Sequence, residues 1–350
     1  MATTTVHFAT NRDETMAGEA IVGFGEHLNP KSPLWLRYGA ADMASGRRRP
    51  PNFTLQALRV APESIPGVTA EAGTQPLLGS ALVFEGLRRR LIENDADLVM
   101  MLHGFACNFE NALTNAAEIK TGWGTAGEPL ETAIFSWPAD GDITPFIQYA
   151  SDRDDARSSA KAVARSLMRF MEYVRALPAD QWCGRQVHLV AHSMGNYMLR
   201  HALQAMLSDF GRRTLPRVFK NIFLMAADED DDAFEDERKL KRLPELAEAV
   251  HVYFARNDRA LTISDLTKGN PDRLGSTGPR TLTSLPHKVT LVDCTRVSAT
   301  SPLTDAGHQY YRKRPEVIAD IRQVLAGTAP EDVAGRDWVE SRRCFQIREA

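Results

Sequence analysis

Short apolar segments alternate with longer segments of helical periodicity through the middle of the chain. A strand buried on both faces of a sheet reads as a short, nearly continuous apolar run. Six such runs occur, at residues 98–102, 132–135, 187–191, 219–226, 251–254 and 288–292. The segment 154–177 instead places apolar residues at helical spacing, namely Ala162, Val163, Leu167, Phe170 and Val174. Strands that alternate with helices predict a parallel sheet.

The two ends of the chain depart from this alternation. Residues 6–9 and 53–60 predict strands, and residues 81–94 predict a helix with Leu82, Phe84, Leu87 and Leu91 on its inner side. Residues 16–50 are rich in Gly, Pro and Arg, so we expect an irregular extension that packs on the main domain. We therefore divide the chain into an N-terminal extension (1–60), a main α/β domain (61–326) and a C-terminal tail (327–350).

One predicted strand leads directly into a turn that carries a serine and then into a helical pattern. The stretch reads V-H-L-V-A-H-S-M-G-N-Y-M-L, with Ser193 in the turn. Strand, sharp turn and helix form the layout of a nucleophile elbow, G-x-S-x-G, in α/β-hydrolases. The strained turn requires small residues on both sides, and here they are Ala191 and Gly195. We predict that Ser193 is a nucleophile; the alternative is a serine that caps the helix.

A serine hydroxyl becomes a good nucleophile when a histidine accepts its proton and a carboxylate orients that histidine. In this fold the three residues follow the chain order Ser, acid, His. Asp258 follows the strand at 251–254, and His308 lies in a glycine-led turn after the last predicted strand of the main domain. We predict a triad of Ser193, Asp258 and His308. Asp228, at the end of the preceding strand, is the alternative acid, and a surface role is the alternative for His308.

The tetrahedral intermediate of acyl transfer needs two backbone N–H groups for its oxyanion. The first candidate is the amide of Met194, directly after the nucleophile. The second is the amide of Phe105, in the loop H-G-F-A-C-N-F-E-N-A that follows the strand at 98–102. His103 and Gly104 allow the backbone to turn close to the site. Their alternative role is a simple turn at the end of a strand.

Two segments between predicted elements bear on substrate binding. The first, 137–152, follows a strand where α/β-hydrolases line the substrate pocket, and it predicts the pocket residues Trp137, Phe146, Tyr149 and Asp152, with Arg153 and Tyr197 close by. Asp152 and Arg153 could orient a polar group, or simply cap and charge the first turn of a helix. The second segment, 228–242, is a block of acidic and then basic residues. We expect a solvated excursion there; the alternatives are a mobile cap and a divalent-cation site.

Composition narrows the functional classes further. Apolar residues make up 43% of the chain and charged residues 25%, with a net charge of −3, which gives no reason to expect a nucleic-acid partner. No signal-like start and no run of about 18 apolar residues is visible, so we expect no membrane span and a cytoplasmic location. The four cysteines lack C-x-x-C spacing, which argues against a zinc site. We expect no metal and no cofactor.

The motifs together resemble a bacterial family in the α/β-hydrolase superfamily that is known only as a domain of unknown function. The resemblance covers roughly residues 95–325. It rests on H-G-F-x-x-x-F-E-N-A (103–112), F-S-W-P (135–138), Y-x-x-D-R (149–153), A-H-S-M-G-N (191–196), A-A-D-E-D (226–230), N-D-R-A-L (257–261) and G-H (307–308). It implies an α/β-hydrolase fold, with a mostly parallel sheet and helices on both faces. It also implies a triad on Ser193, Asp258 and His308, but no substrate.

These observations lead to one main functional hypothesis. We expect a serine hydrolase that cleaves small or medium-sized carboxylic esters through an acyl-enzyme on Ser193. Amides, thioesters and acyl transfer to another alcohol use the same machinery and stay open. A hypothesis of another class is a catalytically silent hydrolase-like binding protein. The sequence gives no indication of the oligomeric state.

Overall fold

The computed structural model of the chain describes residues 2–46, 52–62, 79–139, 147–209, 211, 214–261, 272–283, 285–298 and 307–349. An eleven-stranded sheet runs through the described part. In spatial order its strands are β12 (Arg336–Val339), β13 (Cys344–Ile347), β11 (Val289–Asp293), β10 (Ala247–Phe254), β9 (Phe219–Met225), β8 (Val187–His192), β6 (Asp97–Leu102), β7 (Leu130–Ser136), β1 (Thr3–Thr10), β4 (Arg37–Ser45) and β5 (Phe53–Val60). Eight neighbouring strands, from β13 to β1, are parallel. Antiparallel pairs close both edges, β12 on one side and β4 with β5 on the other.

The elements of the first half have the following bounds. The strands are β1 (Thr3–Thr10), β2 (Arg12–Ala17), β3 (Ala20–Leu28), β4 (Arg37–Ser45), β5 (Phe53–Val60), β6 (Asp97–Leu102) and β7 (Leu130–Ser136). The helices are α1 (Gly79–Glu93), α2 (Phe109–Trp123) and α3 (Ile147–Ala176).

The second half continues the alternation of strand and helix. Its strands are β8 (Val187–His192), β9 (Phe219–Met225), β10 (Ala247–Phe254), β11 (Val289–Asp293), β12 (Arg336–Val339) and β13 (Cys344–Ile347). Its helices are α4 (Met194–Asp209), α5 (Leu274–Thr277), α6 (Tyr310–Lys313) and α7 (Pro315–Leu325). All six strands predicted from apolar runs are confirmed, with bounds that differ by a few residues.

Each face of the sheet carries its own apolar layer, because successive side chains of a strand point to opposite faces. On β6, Leu98 and Leu102 pack in the layer that α1, α3 and α4 cover. Val99 and Met101, which lie between these two leucines in the strand, pack in the layer that α2 and α7 cover. Helices therefore lie on both faces, as the sequence predicts for a sheet of short, fully apolar strands.

Residues 16–50 of the N-terminal extension contain strands, where we expected irregular structure. β2 and β3 form a separate two-stranded sheet, while β1 joins the central sheet beside β7 and carries β4 and β5 with it. The tail also contributes, because β13 pairs with β11. The three-part division of the chain stays a prediction; strands from all three parts share the central sheet. The Gly and Pro residues of 16–50, which usually mark turns, hid its strand pattern from sequence reasoning.

The acidic and basic segment 228–242 is only partly solvated: the expectation of a solvated excursion holds for Glu237, Arg238 and Lys241 and is wrong for the first residues of the segment. Asp228 and Glu229 are each 1% exposed, and Arg273 from a distant loop is fully buried beside them. Arg273 pairs with both Asp228 and Asp230, and Lys239 pairs with Asp230. This network could not be read from the sequence, because its central base lies more than thirty residues away. Among the described residues, no group of three potential metal ligands lies together.

No described helix is both long and apolar enough to cross a membrane.

Candidate active site

Ser193 sits at the junction of β8 and α4 with a backbone φ of +51°, in the left-handed region that costs energy for any residue with a Cβ. Two glycines make this turn possible. A Cβ on Gly195 would lie 2.6 Å from the carbonyl oxygen of Leu102, and a Cβ on Gly104 would lie 2.8 Å from the Cβ of Ser193. An N-cap residue has extended backbone instead. The conformation is therefore that of an elbow, and the capping alternative does not fit it.

Asp258 and His308 meet above the carboxyl ends of the strands. The Nδ1 atom of His308 lies 2.7 Å from Oδ2 of Asp258, and the two residues are 8% and 2% exposed. Backbone amides of Ala260 and Leu261 donate to the other oxygen of Asp258 at 3.1 and 3.4 Å, which fixes the carboxylate in its turn. With Nδ1 turned towards Asp258, the other ring nitrogen of His308, Nε2, points away from the carboxylate.

His308 contacts the elbow at His192, the residue that precedes Ser193. The rings of His192 and His308 are 4.6 Å apart, and Nε2 of His192 lies 3.2 Å from the carbonyl oxygen of His308. No hydrogen bond between the hydroxyl of Ser193 and this imidazole occurs among the described residues. Such catalytic contacts are often long without substrate and tighten when it binds. Burial lowers the pKa of His192 well below its usual value, which keeps it a neutral packing group.

Asp228, the alternative acid, makes different contacts. The hydroxyl of Tyr149 donates to its Oδ2 at 2.5 Å, and the guanidinium of Arg273 lies 3.7 Å from its Oδ1. Its backbone amide donates to the carbonyl of Ser193 at 3.2 Å. Asp228 thus supports the elbow from the side, while Asp258 is the carboxylate that contacts His308.

The loop after β6 is held in place on several sides. His103 stacks on Trp137 at 5.0 Å, and its Nε2 accepts a hydrogen bond from the Trp137 amide. The indole N–H of Trp137 donates back to the carbonyl of His103 at 3.0 Å. Ala106 has a positive φ, and its amide donates to Asp152 at 3.2 Å. These contacts fix the loop that contains Phe105 close to Ser193.

Arg12 is a functional support that sequence reasoning missed. The side chain is fully buried and donates to Ser136 Oγ and to the carbonyls of Gly25, Cys107 and Ala139. Burial lowers the pKa of Arg12 to about 10. One guanidinium thus ties β2 to the loops that follow β6 and β7. No local pattern marks Arg12, because three of its four partners, Ser136, Cys107 and Ala139, lie 95 to 127 residues away along the chain.

The predicted pocket residues mostly face protein. Trp137, Asp152 and Tyr197 are at most 1% exposed. Tyr149 packs its ring 5.8 Å from that of Phe105, and Arg153 lies 3.6 Å above the ring of Tyr197. Phe146 lies outside the described residues. Of these side chains, Phe105 and Arg153 keep partial exposure, and the contact of the whole set with substrate stays a prediction.

Asn196 is a second residue that the sequence did not single out. Its side-chain amide donates to the carbonyls of Ala191 and Ser193, at 3.0 and 3.1 Å. These bonds satisfy two carbonyls at the turn and hold the start of α4 against the end of β8. Its position three residues after Ser193, inside A-H-S-M-G-N, was the one available signal.

A mostly parallel sheet with helices on both faces and a strained serine between strand and helix defines an α/β-hydrolase. The chain belongs to the family described as "Alpha/beta hydrolase of unknown function (DUF900)", whose model matches residues 83–327. This confirms the family resemblance and the fold class. The family description contains no substrate.

Two further similarities were found. Over 75 residues the chain is 32% identical to the uncharacterized protein alr1448 of Nostoc sp. strain PCC 7120, a match that covers 21% of this chain and 17% of that protein. The Aspergillus fumigatus lipase B structure is similar with a TM-score of 0.38 and 10% identity, over 67% of this chain and 53% of the lipase. The chain thus matches about half or less of each relative's length.

Proposed function

We propose that this protein is a carboxylic ester hydrolase that forms an acyl-enzyme on Ser193. The observations that support the proposal are the 2.7 Å contact between Asp258 and His308, the packing of His308 on His192, and the φ of +51° at the adjoining Ser193. A buried carboxylate that fixes one imidazole nitrogen leaves the other nitrogen oriented as a base. A strained serine next to such a base is the arrangement that acyl transfer requires.

The proposed first half-reaction runs through the ester carbonyl. The Nε2 atom of His308 accepts the proton of the Ser193 hydroxyl as its oxygen attacks the carbonyl carbon. The negative charge that develops on the carbonyl oxygen is held by the amides of Met194 and Phe105. The imidazolium then protonates the leaving alkoxide, the ester C–O bond breaks, and an alcohol departs. Asp258 stabilises the imidazolium and stays ionised throughout.

The second half-reaction repeats these steps with water. His308 takes a proton from water, the hydroxide oxygen attacks the acyl carbon, and the proton returns to Oγ of Ser193 as the carboxylic acid leaves. The same intermediate serves amide or thioester substrates and transfer to another alcohol. Esters are favoured over amides because an alkoxide leaves more easily than an amide nitrogen, while thioesters and acyl transfer stay open.

The surroundings of Ser193 support small or medium-sized substrates with an apolar part. The rings of Phe105 and Tyr149 lie together on one side of the elbow. Arg153, stacked on Tyr197, adds a cation that can orient a polar group on the substrate. Trp137 and Asp152 act on this pocket through the loop that they hold.

A fluorophosphonate probe tests the proposal, because it phosphonylates activated serines. We expect the folded protein to label on Ser193, as located by peptide mass spectrometry, and the Ser193→Ala variant not to label. His308→Ala should fold, as shown by its unfolding transition, and lose p-nitrophenyl acetate turnover. An unlabelled Ser193 in folded protein, with control hydrolases labelled, would favour the catalytically silent binding protein instead.

A further inference from the structure

A deep groove lies at the amino ends of the parallel strands, between α1, the second half of α3 and the starts of β8 and β9. We call it the basal groove. Its volume is about 660 Å³. Binding sites for small ligands span about 300–1,000 Å³, so the basal groove is large enough for an organic molecule.

The walls of the basal groove are largely apolar and aromatic. Phe84, Leu87 and Leu91 enter it from one face of α1, since they are spaced by three and four residues. Val174 enters from α3. Trp182, in the segment before β8, lines the groove and is 61% exposed. A large exposed indole beside an open apolar groove is unusual for a surface that contacts only water.

The charged residues that line the basal groove are strongly unbalanced. Five are basic and one, Glu248, is acidic; the basic ones are Arg88, Arg175, Arg185, Arg217 and Lys220. Glu248 pairs with Lys220 at 2.7 Å. Two acids outside the lining, Glu85 and Asp95, pair with Arg88 and Arg185, so three of the five basic residues are already matched. Within the described residues, neither Arg175 nor Arg217 makes an ion pair, and both are exposed. Their guanidinium groups are available to an anion.

We propose that the basal groove binds a single-chain amphiphile with an anionic head group. The alkyl chain would lie along Phe84, Leu87 and Trp182, and the head group would bind Arg217 or Arg175. Guanidinium groups suit carboxylates and phosphates, to which they donate two parallel hydrogen bonds. A second copy of this chain is a poor occupant, because a two-fold contact would bring the same basic side chains together.

The basal groove is separate from the proposed active site. Ser193 lies at the carboxyl end of β8, whereas Val187, which lines the groove, begins that strand. Six residues of strand span about 20 Å. A ligand in the groove therefore binds away from the triad, and its binding does not require the proposed esterase activity.

Titration of the full-length protein with sodium octanoate, decanoate and dodecanoate tests the proposal, below the micellar concentration. Trp182 fluorescence and calorimetry report binding. We expect affinity to rise about three- to fourfold for each added methylene. Dodecanol, which lacks the charge, should bind at least tenfold more weakly than dodecanoate. A tighter fit for dodecyl phosphate than for dodecanoate would identify a phosphorylated head group, and the reverse a fatty acid.

Variants locate the site. Arg217→Glu should weaken dodecanoate binding at least tenfold, while the matched control Lys241→Glu, at an exposed base that does not line the groove, should not. Cys183 lines the groove and is half-exposed, whereas Cys107, Cys294 and Cys344 are buried. Dodecanoate should therefore slow maleimide labelling of Cys183. Equal binding of dodecanol, no effect of Arg217→Glu, or unprotected Cys183 at saturation would each overturn the proposal.

Discussion

Acidification should lower the stability of this protein, because four of its buried histidines have lowered pKa values. His7, His103, His192 and His251 are each at most 5% exposed. Burial lowers the pKa of His7 to about 4 and those of His103 and His251 to about 3, and it lowers the pKa of His192 well below 6.5. Nε2 of His103 accepts a hydrogen bond from the Trp137 amide, a role open only to a neutral ring.

Acidification should destabilise the folded protein, because the unfolded chain binds more protons at these histidines. In the unfolded chain these imidazoles have pKa values near 6.5, so between pH 6.5 and 4 they bind protons that the folded protein does not. Their contribution to stability is thus lost as the pH falls. Glu229 acts oppositely: burial raises its pKa to about 7, so the folded state gains a proton that the unfolded state lacks.

The expected loss of unfolding free energy between pH 7 and pH 5 is large for a protein domain. From pH 7 to pH 5, each histidine with a fully depressed pKa costs about 2 kcal/mol, and Glu229 returns about 2 kcal/mol. The three histidines His7, His103 and His251 and the one glutamate leave a net loss of about 4 kcal/mol, to which His192 adds in the same direction. Total stabilities of about 5–15 kcal/mol are usual, so much of the stability would be gone at pH 5.

The assay is urea unfolding followed by circular dichroism at pH 7, 6 and 5. His251→Gln keeps a donor for Asn221, which His251 contacts at 3.1 Å, and should reduce the loss between pH 7 and 5 by about 2 kcal/mol. His287→Gln, at an exposed position, is the matched control and should leave the loss unchanged. Equal unfolding free energies at pH 7 and pH 5 in the unmodified protein would refute the reasoning.

Three further predictions concern the site. Asp258→Asn should lower kcat for p-nitrophenyl acetate by up to about 10⁴-fold, because the imidazole loses its orienting charge, whereas Asp228→Asn should cost far less; the opposite ranking would move the acid to Asp228. Gly104→Ala should reduce kcat at least tenfold and also lower the unfolding midpoint, since the new Cβ would meet Ser193 at 2.8 Å; full activity would contradict the close approach. Arg12→Ala should lower the urea unfolding free energy by about 3 kcal/mol or more, because buried carbonyls lose their donor, and a midpoint equal to that of the unmodified protein would disprove that role.

The sequence predicted the central strands and the elbow because their signals are local. An apolar run such as 187–191 reports burial on both faces of a sheet without knowledge of its neighbours. The small residues Ala191 and Gly195 likewise report the crowding of a tight turn from within five positions. Chain order within a known fold then selected Ser193, Asp258 and His308 as candidates.

The tertiary structure decided what depends on distant partners. It placed β1, β4 and β5 in the central sheet, buried Arg12 against the loops that follow β6 and β7, and drew part of 228–242 into an ion-pair network around Arg273. It also showed Asp258, rather than Asp228, in contact with His308. A charged side chain can be buried only where separate segments of the chain supply its partners. Those partners are set by how the strands assemble, which no local pattern of residues records.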